Sequence, residues 1–139
     1  MRKRTRAREY ALQILYAIDI TKDEPAEHME GFWKHTEEGD IDVKKFANIL
    51  VRGVMKNRDD IDAMITKYAT NWDLGRMAVI DRNILRFATF ELLFSDDIPP
   101  KVSINEAIDI AKRFGDKDSG KFVNGILDKI HKTESKKVK

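Results

Sequence analysis

Between Leu74 and Phe94 the chain reads LGRMAVIDRNILRFATFELLF, with Met77, Ile80, Ile84, Leu85, Phe87, Ala88, Phe90, Leu92 and Leu93 spread around nearly the whole circumference of a helix. Such a segment cannot lie on a surface, because an apolar residue on every side needs a neighbour on every side. It predicts a buried hub with other elements packed around it. The charges it carries, Asp81, Arg82, Arg86 and Glu91, must then reach an edge of the fold or find partners. DDIPP ends the segment, since two prolines cannot continue a helix.

The rest of the chain supplies a shell of amphipathic helices, with apolar residues recurring at three and four and no strand pattern. With only seven glycines and three prolines to interrupt it, the chain is expected to be all-α. A first helix from about Arg4 to Ile20 carries Ala7, Ala11, Ile14, Leu15 and Ile18 on one stripe and Leu12, Tyr16 and Ile20 on the other side. A helix apolar on two faces is either central or keeps one face for a partner. A short helix around Ala26 to His35 follows, then one from about Asp42 to Lys56 burying Val43, Phe46, Ala47, Leu50, Val51 and Val54. The next starts at Arg58-Asp59-Asp60, where a carboxylate can cap it, and turns Ile61, Met64, Ile65 and Tyr68 inward. Beyond the hub, Ser103-Ile104-Asn105-Glu106 has the form of a capping box and Gly115 ends the helix it would start. A last helix, about Ser119 to His131, points Val123, Ile126, Leu127 and Ile130 at the core.

At 139 residues the chain is expected to be one compact unit, residues 1–139, long enough to bury a core without staples. Cysteine is absent, which excludes disulfides, thiol catalysis and sulfur-ligated metals, and His28, His35 and His131 lack metal-ligand spacing. No metal or cofactor is expected. MRKRTRARE has the charge of a signal peptide's start, but ALQILYAIDI is interrupted by Gln13 and Asp19 and offers no small-residue cleavage site. No run is long and apolar enough to span a bilayer, so a cytoplasmic location is expected.

The net charge of +2 hides an uneven distribution. Five of the first ten residues are basic and one is acidic, and residues 129–139 hold five lysines and one glutamate. The two ends together carry +8 and the remainder −6, which suggests a polyanion partner, nucleic acid first. A tail of about residues 132–139 is expected to be disordered. The first basic run, Arg2, Lys3, Arg4, Arg6 and Arg8, continues into a helix and is the stronger candidate for binding.

GDKDSGKF, Gly115 to Phe122, fits the first seven positions of a phosphate-binding loop. A phenyl ring stands where a magnesium-binding hydroxyl belongs, the segment lies between helices, and no βαβ unit exists. What remains is a helix start carrying Gly120 and Lys121, able to attract a phosphate, or simply a turn capped by Asp118 or Ser119. Phe122 lies about 100° from the inward stripe of its helix. An aromatic ring beside lysines suits single-stranded RNA, where bases stack and cations follow the backbone; Tyr16 stands similarly beyond the arginine-bearing turns. The carboxylate pairs Glu37-Glu38, Asp59-Asp60 and Asp96-Asp97 fall at turns with no triad-like neighbours, and the chain is not expected to be an enzyme.

RTRAREYALQILY, WDLGRMAVIDRNILRFATFELLF and DIPPKVSINEAIDIAKRFGDKDSGKFVNGILDKI, in that order, resemble the NusB family of bacterial transcription antitermination factors; residues from about 21 to 57 match in helical pattern alone. The resemblance implies about seven helices in two packed subdomains. It further implies binding of boxA RNA, with the small-subunit ribosomal protein that doubles as NusE, within the transcription elongation complex that makes ribosomal RNA. Carried over by position, the arginine-rich start and the turn from Asp118 through Lys121 to Phe122 match the family's RNA-contacting regions, while Tyr16 and Asp81 match positions tied to RNA or partner function. Asp81 is then either paired internally, with Arg82 or Arg86, or offered to a basic group of the ribosomal protein. Gly120 stands where a bulkier residue can occur in relatives. A related domain heads some RNA methyltransferases, but no methyltransferase domain follows here, so binding without catalysis is expected. A protein-interaction scaffold without direct RNA readout stays open; a DNA-binding protein would need a basic and amide-rich recognition face that no helix here offers.

Overall fold

The computed structural model describes residues 2–134 and contains seven α-helices and no strand among them. They are α1 (Lys3–Thr21), α2 (Pro25–Lys34), α3 (Ile41–Lys56), α4 (Arg58–Tyr68), α5 (Val79–Phe94), α6 (Pro100–Phe114) and α7 (Ser119–Thr133), with a 3-10 turn at Leu74–Arg76. Of the basic tail expected from about residue 132, Lys132 and Thr133 are the last residues of α7, and 135–139 lie outside the described residues.

The hub takes the position its composition demands. Helix α5 packs on α1, α3, α4, α6 and α7, and Ile84, Leu85, Phe87 and Ala88 are fully buried. Helices α1, α2 and α3 gather on one side of it, while α4, α6 and α7 close the other; the seam between these halves runs along α1 and α5. At the α3–α5 contact a Cβ on Gly53 would lie 2.2 Å from the Phe90 ring, so only glycine admits that close approach.

The hub is shorter than its apolar run. Met77 and Ala78 are extended, so the chain makes one 3-10 turn and restarts as α5 at Val79. A second difference concerns SINE, which resembles a capping box but lies inside a helix. Helix α6 begins at Pro100, preset for a first helical position, with Pro99 before it. Ser103 and Glu106 serve a buried cation instead: Ser103 Oγ donates to Glu91 Oε1 at 2.7 Å, and Glu106 Oε1 accepts from Arg8.

That cation is Arg8, only 2% exposed. Its guanidinium donates twice to Glu91, both at 2.8 Å, and once to Glu106 at 3.2 Å, while the Thr5 hydroxyl donates to Glu106 at 2.5 Å. One side chain thereby ties α1 to α5 and α6. A second network holds the far end of α1. Asp19 accepts from Arg82 at 2.7 and 3.0 Å, from Asn83 at 3.0 Å and from Arg86 at 3.0 Å, and Arg86 continues to Asp62 of α4 at 2.9 Å. Burial raises the Asp19 pKa, but the Arg82 and Asn83 hydrogen bonds and the charges of Arg86 and Arg82 outweigh it and hold the carboxyl well below its usual range.

Removing one member of a buried ion pair strands the others in low dielectric. Arg8→Ala is expected to lower unfolding free energy by about 3–5 kcal/mol. Arg4→Ala, whose pair with Asp97 is exposed, is expected to lower it by about 1 kcal/mol or less. Urea denaturation of the two variants checks the contrast.

Candidate nucleic-acid interface

The five basic residues at the start of the chain divide by burial. Arg8 is enclosed by Glu91 and Glu106, so its donors face the core. Arg6 makes a bidentate pair with Glu38 at 2.9 and 3.1 Å, and the Tyr10 hydroxyl donates to the same carboxylate. The Arg6 guanidinium, the backbone N–H of Asp40 and the Tyr10 hydroxyl hold the Glu38 pKa down at about 2. Three remain outside: Arg2, Lys3 and Arg4, with side chains 80%, 59% and 50% exposed. Arg2 pairs with Glu106 at 2.8 Å, Lys3 with Asp40 and Asp42 at 3.2 and 3.3 Å, and Arg4 with Asp97 at 3.3 Å while lying over the Phe46 ring. Arg2 and Arg4 border a cleft of about 310 Å³ between the starts of α1 and α6.

The GDKDSGKF segment forms the turn from α6 to α7. Neither Asp118 nor Ser119 caps α7 through its side chain. Instead the Asp118 backbone N–H donates to Asp116 Oδ1 at 2.8 Å, and Ser119 Oγ accepts from the Asp116 N–H at 3.0 Å. Gly115 is required there, since a Cβ would fall 2.3 Å from Ser119 Oγ. Lys121 is exposed and makes no ion pair among the described residues.

The fold brings Asp81, Asp118 and Phe122 together in one groove of about 430 Å³, with Trp72, Arg76 and Asp116. Phe122 is half-buried and meets Trp72 edge to face at 5.7 Å, and Trp72 leaves half its surface open. Reading by sequence missed Trp72 and Asp116. The signal for Trp72 was a large aromatic in a stretch with no helical stripe to place it.

Asp81 is 7% exposed, yet its Oδ1 has no hydrogen-bond partner among the described residues. The internal pairing with Arg82 or Arg86 does not occur, because both guanidinium groups turn to Asp19. Burial raises the Asp81 pKa; the Ser119 hydroxyl opposes this and the charge of Asp116 adds to it. Its place in the first turn of α5 gives it a favourable helix dipole. Tyr16 is 40% exposed and Ile20 54%, while Leu12 of the same stripe is buried, so the second apolar face of α1 is open in its C-terminal half. The arrangement offers three exposed cations, an aromatic pair that a flat ring can reach, and an unsatisfied acceptor. Among the described residues no group of three or more acidic or histidine side chains is arranged to hold a metal, and no helix is long and apolar enough to cross a membrane.

A family model described as the NusB family matches residues 5–132. The transcription antitermination protein NusB of Syntrophus aciditrophicus (strain SB) is 48% identical over 136 residues, covering 95% of this chain and 84% of its own. That of Myxococcus xanthus (strain DK1622) is 47% identical over 133 residues, covering 94% of this chain and 95% of its own. Among solved structures, T. maritima NusB aligns with a TM-score of 0.88 at 42% identity, over 96% of this chain and 94% of that one. A chain in a structure of antitermination factors NusB and NusE in complex with dsRNA aligns with a TM-score of 0.88 at 30% identity, over 96% of this chain and 99% of that one.

A carboxylate with a raised folded-state pKa penalises folding when charged, and the penalty fades as pH falls toward its unfolded value. Asp81→Asn is therefore expected to raise the melting temperature at neutral pH by about 2–6 °C, equivalent to about 1 kcal/mol for a chain of this size. The difference from wild type should shrink in acid. Melting curves of both proteins from pH 3 to 7 check the sign.

Proposed function

The chain belongs to the NusB family, and from that premise we propose that it is a transcription antitermination factor, one RNA-binding domain that holds single-stranded boxA-like RNA together with a NusE-type ribosomal protein. It acts in the cytoplasm, within the elongation complex that makes ribosomal RNA, and catalyses no reaction. The observation that carries this reading is the groove in which Trp72 and Phe122 stand beside Asp81, whose Oδ1 has no hydrogen-bond partner among the described residues. An unstacked base can reach such a ring pair, whereas a base inside a duplex cannot. Arg2, Lys3 and Arg4, with Lys121 at the start of α7, follow the phosphate backbone; Arg6 and Arg8 act by holding that arm in place. Asp81 and Tyr16 face the ribosomal protein, with Asp81 supplying a carboxylate to one of its cations. Asp118 borders both contacts.

Titration of the protein with boxA-like single-stranded RNA, a scrambled strand, duplex RNA and duplex DNA tests the reading. The boxA-like strand should bind tightest, and equal affinity for all four would reduce the site to a charged surface. No RNA binding, with the ribosomal protein still bound, would favour a protein-interaction scaffold. Phe122→Ala and Trp72→Ala should each weaken RNA binding by about 1–3 kcal/mol. Trp72→Ala should leave the melting temperature close to wild type, since half of that side chain is already in water. Asp81→Lys should leave RNA binding by the protein alone nearly unchanged and cut affinity for the ribosomal protein by about 2–5 kcal/mol, which calorimetry measures directly.

A further inference from the structure

Every basic side chain of the N-terminal arm already holds a carboxylate, but the carboxylates are of two kinds. Glu91 and Glu106 are buried, Glu38 is half-buried, all three are hydrogen-bonded to other groups, and Asp40 accepts from the Asp42 N–H at the start of α3. Asp42 and Asp97 differ: their side chains are 70% and 64% exposed. Among the described residues each carboxylate engages one group only, Lys3 for Asp42 and Arg4 for Asp97.

We infer that Asp42 and Asp97 are tuning residues of the RNA site, internal counterions that occupy Lys3 and Arg4 until a phosphate displaces them and so keep the arm from binding polyanions on charge alone. The inference rests on the arm being the RNA-backbone contact. Its physical content is an ion count. A phosphate that meets a bare cation releases a condensed counterion, which makes affinity fall with salt. A phosphate that first evicts a carboxylate leaves an anion that regains a cation from solution, and the release is cancelled. The slope of log affinity against log salt then counts fewer contacts than there are cations. Exposed pairs are weak, about 0.2–1 kcal/mol, so eviction lowers affinity without blocking it.

The test uses Asp42→Asn, Asp97→Asn, the double variant, and Asp59→Asn as a control of equal charge on α4, titrated with boxA-like single-stranded RNA and with inorganic polyphosphate between 50 and 300 mM salt. Asp97→Asn should tighten binding of both probes at low salt by about 1.4- to 5-fold, the fold equivalent of an exposed pair, and Asp42→Asn by less, because Lys3 keeps its pair with Asp40 at 3.2 Å. Asp97→Asn should steepen the RNA slope by about 0.7, the single-strand increment per phosphate contact. The control should do neither. In an Arg4→Gln background the gain from Asp97→Asn should disappear. Unchanged affinity and slope, a gain that survives Arg4→Gln, or a double variant that binds polyphosphate no tighter than wild type would each overturn the inference. If polyphosphate responds as expected while no variant binds RNA, the counterions stand and the RNA reading falls.

Discussion

One guanidinium in the core governs how this molecule is assembled. Arg8 is enclosed with Glu91 and Glu106, and an unpaired charge there would cost several kcal/mol, so α1, α5 and α6 can come together only in the register that lets the three groups meet. Ser103 and Thr5 donate further hydrogen bonds to these two carboxylates. The Asp19 network clamps the other end of α1 to α5 and, through Arg86 and Asp62, to α4. Between these polar clamps the contact is apolar and non-directional. The core supplies the driving force and the two ionic networks supply the alignment.

That alignment decides what reaches the surface. With Arg8 inward, Lys3 and Arg4 leave α1 on its solvent side, and Arg2 lies across Glu106 at the mouth of the same cleft. With Arg82 and Arg86 drawn to Asp19, Asp81 is left with an unsatisfied oxygen at the start of α5. The tight turn at Gly115 then sets Asp118 and Phe122 against it, and Trp72 closes the side. The fold tolerates a buried carboxylate with one oxygen left without a hydrogen-bond partner, at a cost to stability.

Much of the fold was legible because helices bury one stripe and declare it by spacing. The stripes of α3 and α7 are buried as spaced, and α5 is enclosed on all sides. Misreadings came where one residue type serves two purposes. Ser and Glu three apart make a good cap, but they make equally good partners for a buried arginine, and Pro100 had already started the helix. Five basic residues in ten read as one charged arm, although Arg8 turns inward and Arg6 is half-buried against Glu38.

By itself the sequence determined the all-α class, the buried α5, the break at the prolines and the presence of basic and aromatic residues near both ends, since periodicity, backbone chemistry and charge are local properties of the chain. Tertiary structure alone decided which cations are buried in ion pairs and which stay exposed, and that Asp81, Trp72 and Phe122 share one groove. Those outcomes depend on distances between residues some ten to one hundred positions apart, and such distances are set by how helices pack, which no local pattern encodes.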